Sequence, residues 1–92
     1  MTPEGRTKKL VKEQLRKHGI WQWWPVPSGY GVSTIDCIAC WNGRFTAIEC
    51  KREGITEPTS RQAAVMKEMR KAGAITYLAT IEKGELKWIE LR

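Results

Sequence analysis

The chain has 92 residues and a net charge of +6, and 41% of its residues are hydrophobic while 28% are charged. These values predict one globular domain and exclude a disordered or multidomain chain. No apolar run approaches the ~20 residues of a membrane-spanning helix, no secretory signal opens the chain, and an odd number of cysteines makes no disulfide framework. We therefore expect a cytoplasmic protein without a membrane partner, and the positive charge favours an anionic partner such as nucleic acid.

The first predicted element is a helix that begins at Thr2 as N-cap, with Pro3 in its first turn, and ends at Gly19. Val11 lies on the apolar stripe of this helix, and Glu4 lies two turns earlier on the same stripe. Glu4 is therefore either a first-turn residue favoured by the helix dipole or a functional group directed at the sheet.

Residues 20–24 are rich in aromatic and β-branched side chains and predict a strand. The Pro- and Gly-rich segment 25–31 predicts a loop that contains Ser28 and Tyr30. Such a loop beside a catalytic site would approach a DNA backbone closely, although an ordinary connection has the same composition.

Residues 34–51 predict a β-hairpin around Asn42-Gly43, the dipeptide most typical of a two-residue turn. Counting outward from this turn places Asp36 directly opposite Glu49, and the alternation of side chains puts Lys51 on their face. Opposed carboxylates repel each other unless a cation lies between them, and Mg²⁺ prefers carboxylate oxygens. Two carboxylates and a lysine around one cation are typical of nucleases that cleave phosphodiester bonds.

A second helix is predicted from Thr59 or Ser60 to Gly73, with Gln62 at the head of its inward stripe. Residues 74–80 and 86–91 predict two further strands. The order α-β-β-β-α-β-β indicates an α/β (α+β) fold in which helices flank a mixed sheet.

Together these motifs resemble the PD-(D/E)xK nuclease superfamily and, within it, the virus-type replication-repair nuclease (VRR-NUC) family of stand-alone phage proteins. The resemblance covers nearly the whole chain and rests on Glu4, the Gly-containing loop 28–31, Asp36, Glu49-Cys50-Lys51 and Arg61-Gln62. The chain departs from the superfamily motif at Ile35, where the motif has proline. That proline shapes the backbone and takes no part in the chemistry.

The resemblance implies a restriction-endonuclease-like core and a metal-dependent, structure-selective DNA endonuclease, with a leaning toward four-way junctions. It implies that Mg²⁺ or Mn²⁺ is held by Asp36, Glu49 and the main-chain carbonyl of Cys50. Lys51, Gln62 and Glu4 are then the other catalytic residues. The candidate nucleic-acid-binding residues are Lys8, Lys9, Lys12, Ser28, Tyr30, Arg52 and Arg61, although a solvated face is the better explanation for each basic residue taken alone.

Five tryptophans in so small a domain cannot all be buried. Exposed aromatic side chains predict a homodimer interface, and stacking on unpaired bases is the alternative. Cys37 and Cys40 have a zinc-like spacing but opposite orientations on the strand, so the three cysteines are predicted to be small core residues. Two rival functions remain at this point: a non-catalytic basic DNA-binding module, and a structural or regulatory phage protein whose partner is another protein.

Overall fold

The computed structural model describes residues 1–26 and 35–92, which contain two helices and five strands in the predicted order. The elements are α1 (Pro3–Lys17), β1 (Trp21–Trp23), β2 (Cys37–Trp41), β3 (Arg44–Cys50), α2 (Ser60–Lys71), β4 (Ile75–Glu82) and β5 (Glu85–Leu91). The strands form one sheet in the order β1-β2-β3-β4-β5. The predicted mixed sheet flanked by helices is confirmed. Neither helix in the described ranges is long and apolar enough to span a membrane.

Helix α1 begins and ends at the predicted signals. The Thr2 hydroxyl accepts a hydrogen bond from the Gly5 N–H, as an N-cap does. Beyond the last turn Gly19 has φ +68°, the left-handed conformation that glycine adopts without a steric cost. The Ile20 N–H then donates to the Leu15 carbonyl at 2.9 Å. This bond ties Ile20 to the helix end, and β1 therefore starts one residue later than predicted.

The β2–β3 hairpin has the predicted register. Asn42 and Gly43 have φ +52° and +74°, which is the pattern of a type I′ turn. Trp41 therefore pairs with Arg44, and the ladder continues to Cys37 opposite Ile48 in the same register. A similar turn at Lys83-Gly84 keeps β4 and β5 paired as far as Glu82, which lengthens β4 beyond the predicted residues 74–80.

Strands β3 and β4 are parallel, and α2 is the crossover between them. A crossover helix starts near the end of the strand that precedes it, so α2 begins close to the carboxyl end of β3. One core cluster packs α1 on the sheet through Val11, Leu15 and Ile48. A second cluster packs α2 on the opposite face through Ala47 and Met66. The carboxyl end of β3 therefore lies between the first turns of both helices.

Three aromatic rings pack together on the α1 side of the sheet. Trp41 and Tyr77 each contact Trp88 edge-on, with ring centroids 5.8 and 5.9 Å apart. Edge-to-face packing suits the charge distribution of aromatic rings and adds to the gain from burial. This cluster contains two of the five tryptophans, and both are partly buried against the core under α1.

The prediction that all three cysteines are core residues is wrong for Cys40. Cys37 and Cys50 are buried under α1, whereas Cys40 is exposed. Cys40 projects to the other face of β2, where it lines an open apolar surface with the exposed Trp21, Trp23 and Phe45. Burial raises the pKa of Cys37 to about 12 and that of Cys50 still further, which keeps both thiols neutral when no metal ion is bound.

Candidate metal and nuclease site

Three carboxylates meet at the carboxyl end of β3. Glu4 comes from the first turn of α1, Asp36 lies just before β2, and Glu49 lies in β3. One oxygen from each residue lies within 4.8 Å of the others. The prediction from the hairpin register and the functional alternative for Glu4 both anticipated this convergence.

The hairpin prediction placed Asp36 within a strand. In the structure Asp36 lies one residue before β2. Its Oδ2 accepts a hydrogen bond of 2.9 Å from the Cys50 N–H. The carboxylate thus takes the place of a backbone acceptor at the end of the ladder, which ends regular strand pairing. Oδ1 of Asp36 lies 3.5 Å from the ammonium of Lys8. The hydrogen bond fixes the direction of the carboxylate, and Lys8 supplies a counter-charge.

Glu49 is the most buried member of the cluster, with 1% of its surface exposed. Its Oε1 accepts a hydrogen bond of 2.9 Å from Nε2 of Gln62. Its Oε2 is buried and has no hydrogen-bond partner among the described residues. Burial, and then the adjacent Asp36 carboxyl, raise the pKa of Glu49 to about 9, while Lys51 acts in the opposite direction. The site therefore needs a proton or a cation to balance this carboxylate.

Gln62 is held by the capping box of α2. Its Oε1 accepts from the Thr59 N–H at 2.9 Å, and the Thr59 hydroxyl accepts from the Gln62 N–H. Because the amide oxygen is occupied in this way, the amide nitrogen faces Glu49. The sequence predicted that Gln62 reaches this end of the sheet, and the structure brings it onto the carboxylate of Glu49.

The main chain after Glu49 is held by two threonines that the sequence analysis did not single out. The buried Thr7 hydroxyl donates to the Lys51 carbonyl at 2.9 Å, and the Thr80 hydroxyl donates to the Arg52 carbonyl at 2.8 Å. The Lys51 N–H donates to the Ala79 carbonyl. These bonds fix the direction in which Lys51 leaves the strand. A threonine on the apolar stripe of α1 was the available signal for Thr7.

The predicted nucleic-acid-binding residues are spread more widely than the residues of the carboxylate cluster. Lys9, Arg52 and Arg61 are exposed. The ammonium of Lys12 lies 4.9 Å from the centre of the Trp24 ring, which is a cation–π contact. Ser28 and Tyr30 lie outside the described residues.

The donor set fits a hard divalent cation. All three side chains offer carboxylate oxygens, the ligands that Mg²⁺ and Mn²⁺ prefer, and thiol or imidazole ligands are absent from the cluster. The unpartnered Oε2 of Glu49 is the atom that such a cation would satisfy. Concave surfaces beside His18 lie at the other end of α1 and bring together no comparable cluster among the described residues.

No family model and no curated protein matches the chain. Among solved structures, the fold is similar to the 1.6 Å structure of Hjc from Archaeoglobus fulgidus, a Holliday junction resolvase from an archaeal hyperthermophile. The TM-score is 0.66 at 19% sequence identity, and the match covers 94% of this chain and 75% of Hjc. The chain has the restriction-endonuclease-like fold.

Proposed function

We propose that the protein is a divalent-metal-dependent DNA endonuclease of the PD-(D/E)xK superfamily, related to the VRR-NUC family, that cleaves branched DNA such as four-way junctions. The observation that carries the proposal is the buried, unpartnered Oε2 of Glu49, which lies in a cluster with oxygens of Asp36 and Glu4. The similarity of the fold to a Holliday junction resolvase supports the choice of substrate.

Asp36, Glu49 and the Cys50 carbonyl would hold Mg²⁺ or Mn²⁺. The N–H of Cys50 points to the Asp36 side of β3, because it donates to Oδ2. In an extended strand the carbonyl of a residue points to the same side as its N–H. The Cys50 carbonyl is therefore directed toward the same edge, which supports its proposed role as a third ligand. Glu4 would support the site through water or a second metal ion.

When bound, a divalent cation supplies a water of lowered pKa and neutralises charge on the phosphate. Lys51 would orient that water and stabilise the negative charge that develops on the phosphate in the transition state. Its backbone is held on both sides by hydrogen bonds with Thr7 and Ala79, which fixes the point from which the side chain extends before substrate arrives. Gln62 would act through Glu49, by fixing the carboxylate that holds the cation.

The rest of the surface is suited to DNA. The net charge of +6 favours phosphate contacts, and Lys9, Arg52 and Arg61, which are exposed, would make some of them. A two-fold dimer would present two such sites to a symmetric junction, as paired cuts require.

The test is cleavage of a synthetic four-way junction, a flap, a nicked duplex and an intact duplex, in Mg²⁺, Mn²⁺ or EDTA. We expect metal-dependent cleavage with the junction preferred. Lys51→Ala should lower the rate about 100-fold or more, the typical cost of removing one group that stabilises the transition state. Asp36→Asn should abolish cleavage but retain DNA binding, because phosphate contacts carry most of the affinity.

Glu90→Gln is the matched control, because it neutralises an exposed glutamate that pairs with Arg92, outside the carboxylate cluster. It should cleave like the wild type. Salt-dependent junction binding without cleavage in either metal would contradict the proposal and favour the non-catalytic DNA-binding module.

A further inference from the structure

Lys8 is the basic side chain of α1 that contacts the carboxylate cluster. It lies one turn after Glu4, and its ammonium is 3.5 Å from Oδ1 of Asp36. The side chain of Lys8 is 38% exposed and that of Asp36 is 17% exposed. A partly buried ion pair of this kind is screened by salt less than a pair on the open surface.

Each of the two carboxyl groups that face each other has one oxygen that accepts a hydrogen bond from an N–H donor. Oδ2 of Asp36 accepts from the Cys50 N–H, and Oε1 of Glu49 accepts from Gln62. The remaining oxygens are Oδ1 of Asp36 and Oε2 of Glu49. A divalent cation that binds Oδ1 therefore competes directly with the ammonium of Lys8, and a cation that binds Oδ2 through its second lone pair is still repelled by the same ammonium.

We propose that Lys8 is a built-in counter-ion of this site, which competes with a divalent cation for Asp36. The proposal rests on the proposed metal site. Lys8 then holds the metal affinity of the DNA-free protein below the affinity that the carboxylates alone would provide. Lys51 does not duplicate this role, because it approaches from β3 and no ion pair joins it to Asp36 in the described structure.

The displacement involves the side chain of Lys8 and not the whole helix. The neighbouring Thr7 is fully buried, and its hydroxyl holds the Lys51 carbonyl at 2.9 Å. Moving the first turns of α1 would break this bond and disturb the core beneath Val11. Rotation of a partly exposed lysine side chain, in contrast, leaves the backbone and the core unchanged. The cation and the ammonium of Lys8 therefore replace each other at Asp36 while the backbone of α1 stays in place.

The experiment is a calorimetric titration of DNA-free protein with Mn²⁺ at constant pH and ionic strength. Lys8→Met should bind Mn²⁺ about fivefold more tightly than the wild type, the size that a partly exposed ion pair allows. Lys8→Arg keeps the charge and should bind as the wild type does.

Lys87→Met is the matched control, because Lys87 is similarly exposed at 44% and its ammonium pairs with Glu82 at 2.8 Å. It removes the same unit of charge and should leave the Mn²⁺ affinity unchanged. In EDTA, Lys8→Met should melt at a lower temperature than the wild type, because Asp36 has lost its counter-ion. If Lys8→Met does not fold in EDTA, Lys8→Gln takes its place.

Equal or weaker Mn²⁺ affinity in Lys8→Met, compared with the wild type, would overturn the proposal while leaving the metal site intact. Equal tightening by Lys8→Met and Lys87→Met would also overturn it, because the effect would then follow net charge. A wild type that does not bind Mn²⁺ would contradict the metal site itself, and the role of Lys8 with it.

Discussion

At the scale of single residues, Glu49 combines burial with incomplete pairing. A buried carboxylate with one unpartnered oxygen is unfavourable as an anion, and the neighbouring Asp36 adds repulsion. A proton or a cation relieves both effects. The same residue therefore connects pH, metal binding and stability.

Without metal, stability should fall as the pH rises, because of Glu49. Its pKa is raised from 4.5 to about 9 on folding, so between these values the folded state holds a proton that the unfolded chain releases. More protons bound to the folded state make the slope of unfolding free energy against pH negative, with a limit of about 1.4 kcal/mol per pH unit for one group. Urea unfolding in EDTA from pH 5.5 to 8.5 measures this slope.

Glu49→Gln should flatten that slope and unfold at higher urea concentration than the wild type at pH 8.5. The hydrogen bond from Gln62 can persist to the new amide oxygen, so the change isolates the charge. Mn²⁺ should stabilise the wild type and not the variant. Glu90→Gln should keep the wild-type slope, and parallel slopes for wild type and Glu49→Gln would contradict the assignment.

At the scale of elements, the side chain of Gln62 has two roles at the amino terminus of α2. The capping box satisfies the helix end, and the same amide orients Glu49. Stability of the helix and geometry of the site are therefore coupled through Gln62.

Two substitutions should separate these effects. Gln62→Glu keeps the acceptor for the Thr59 N–H but replaces the donor to Glu49 with a carboxylate, so Mn²⁺ affinity and metal-free stability should both change. Thr59→Ala removes only the cap and should cost about 1 kcal/mol of stability with unchanged Mn²⁺ affinity. Calorimetry and urea unfolding measure both quantities. Equal Mn²⁺ affinity in Gln62→Glu and the wild type would contradict the role of Gln62.

The sequence predicted the approach of Asp36 to Glu49 from one hairpin, and the approach of Glu4 and Gln62 from the inward stripes of their helices. A type I′ turn at Asn42-Gly43 leaves a single register, so the approach of Asp36 to Glu49 follows from counting along the chain. The contacts of Thr7 and Lys8 were not predictable in this way. They depend on how α1 crosses the sheet, which is set by packing between residues far apart in sequence.

At the scale of the whole molecule, an apolar groove lies open beside the edge strand. We call it the tryptophan groove, and it is lined by Trp21, Trp23, Ile38, Ala39, Cys40 and Phe45. Trp21, Trp23 and Phe45 are 63%, 55% and 53% exposed. Contiguous exposed aromatic side chains are typical of association surfaces. The predicted homodimer stays a prediction, and this groove is its expected interface.

Sedimentation at micromolar concentration should show a two-chain mass for the wild type. Trp21→Ser combined with Trp23→Ser should yield a single chain, because it removes the largest apolar area of the tryptophan groove. Val26→Ser is the control, since Val26 is 86% exposed and lies outside the groove. A single-chain mass for the wild type, unchanged by added junction DNA, would contradict the dimer and leave base stacking as the role of the tryptophans.

Asp36, Glu49 and Lys51 lie at the open end of one hairpin, whose turn has two residues. This placement also bears on how the chain folds. A hairpin closes within microseconds, whereas the parallel pairing of β3 with β4 must wait for the crossover through α2. The two opposed carboxylates then meet before Gln62 reaches them. We expect Mn²⁺ to speed refolding of the wild type from urea, because it neutralises the repulsion between the two carboxylates at this early stage. It should have no such effect on Glu49→Gln. A refolding rate that does not change with Mn²⁺ would contradict this expectation and show that the cation binds after the rate-limiting step.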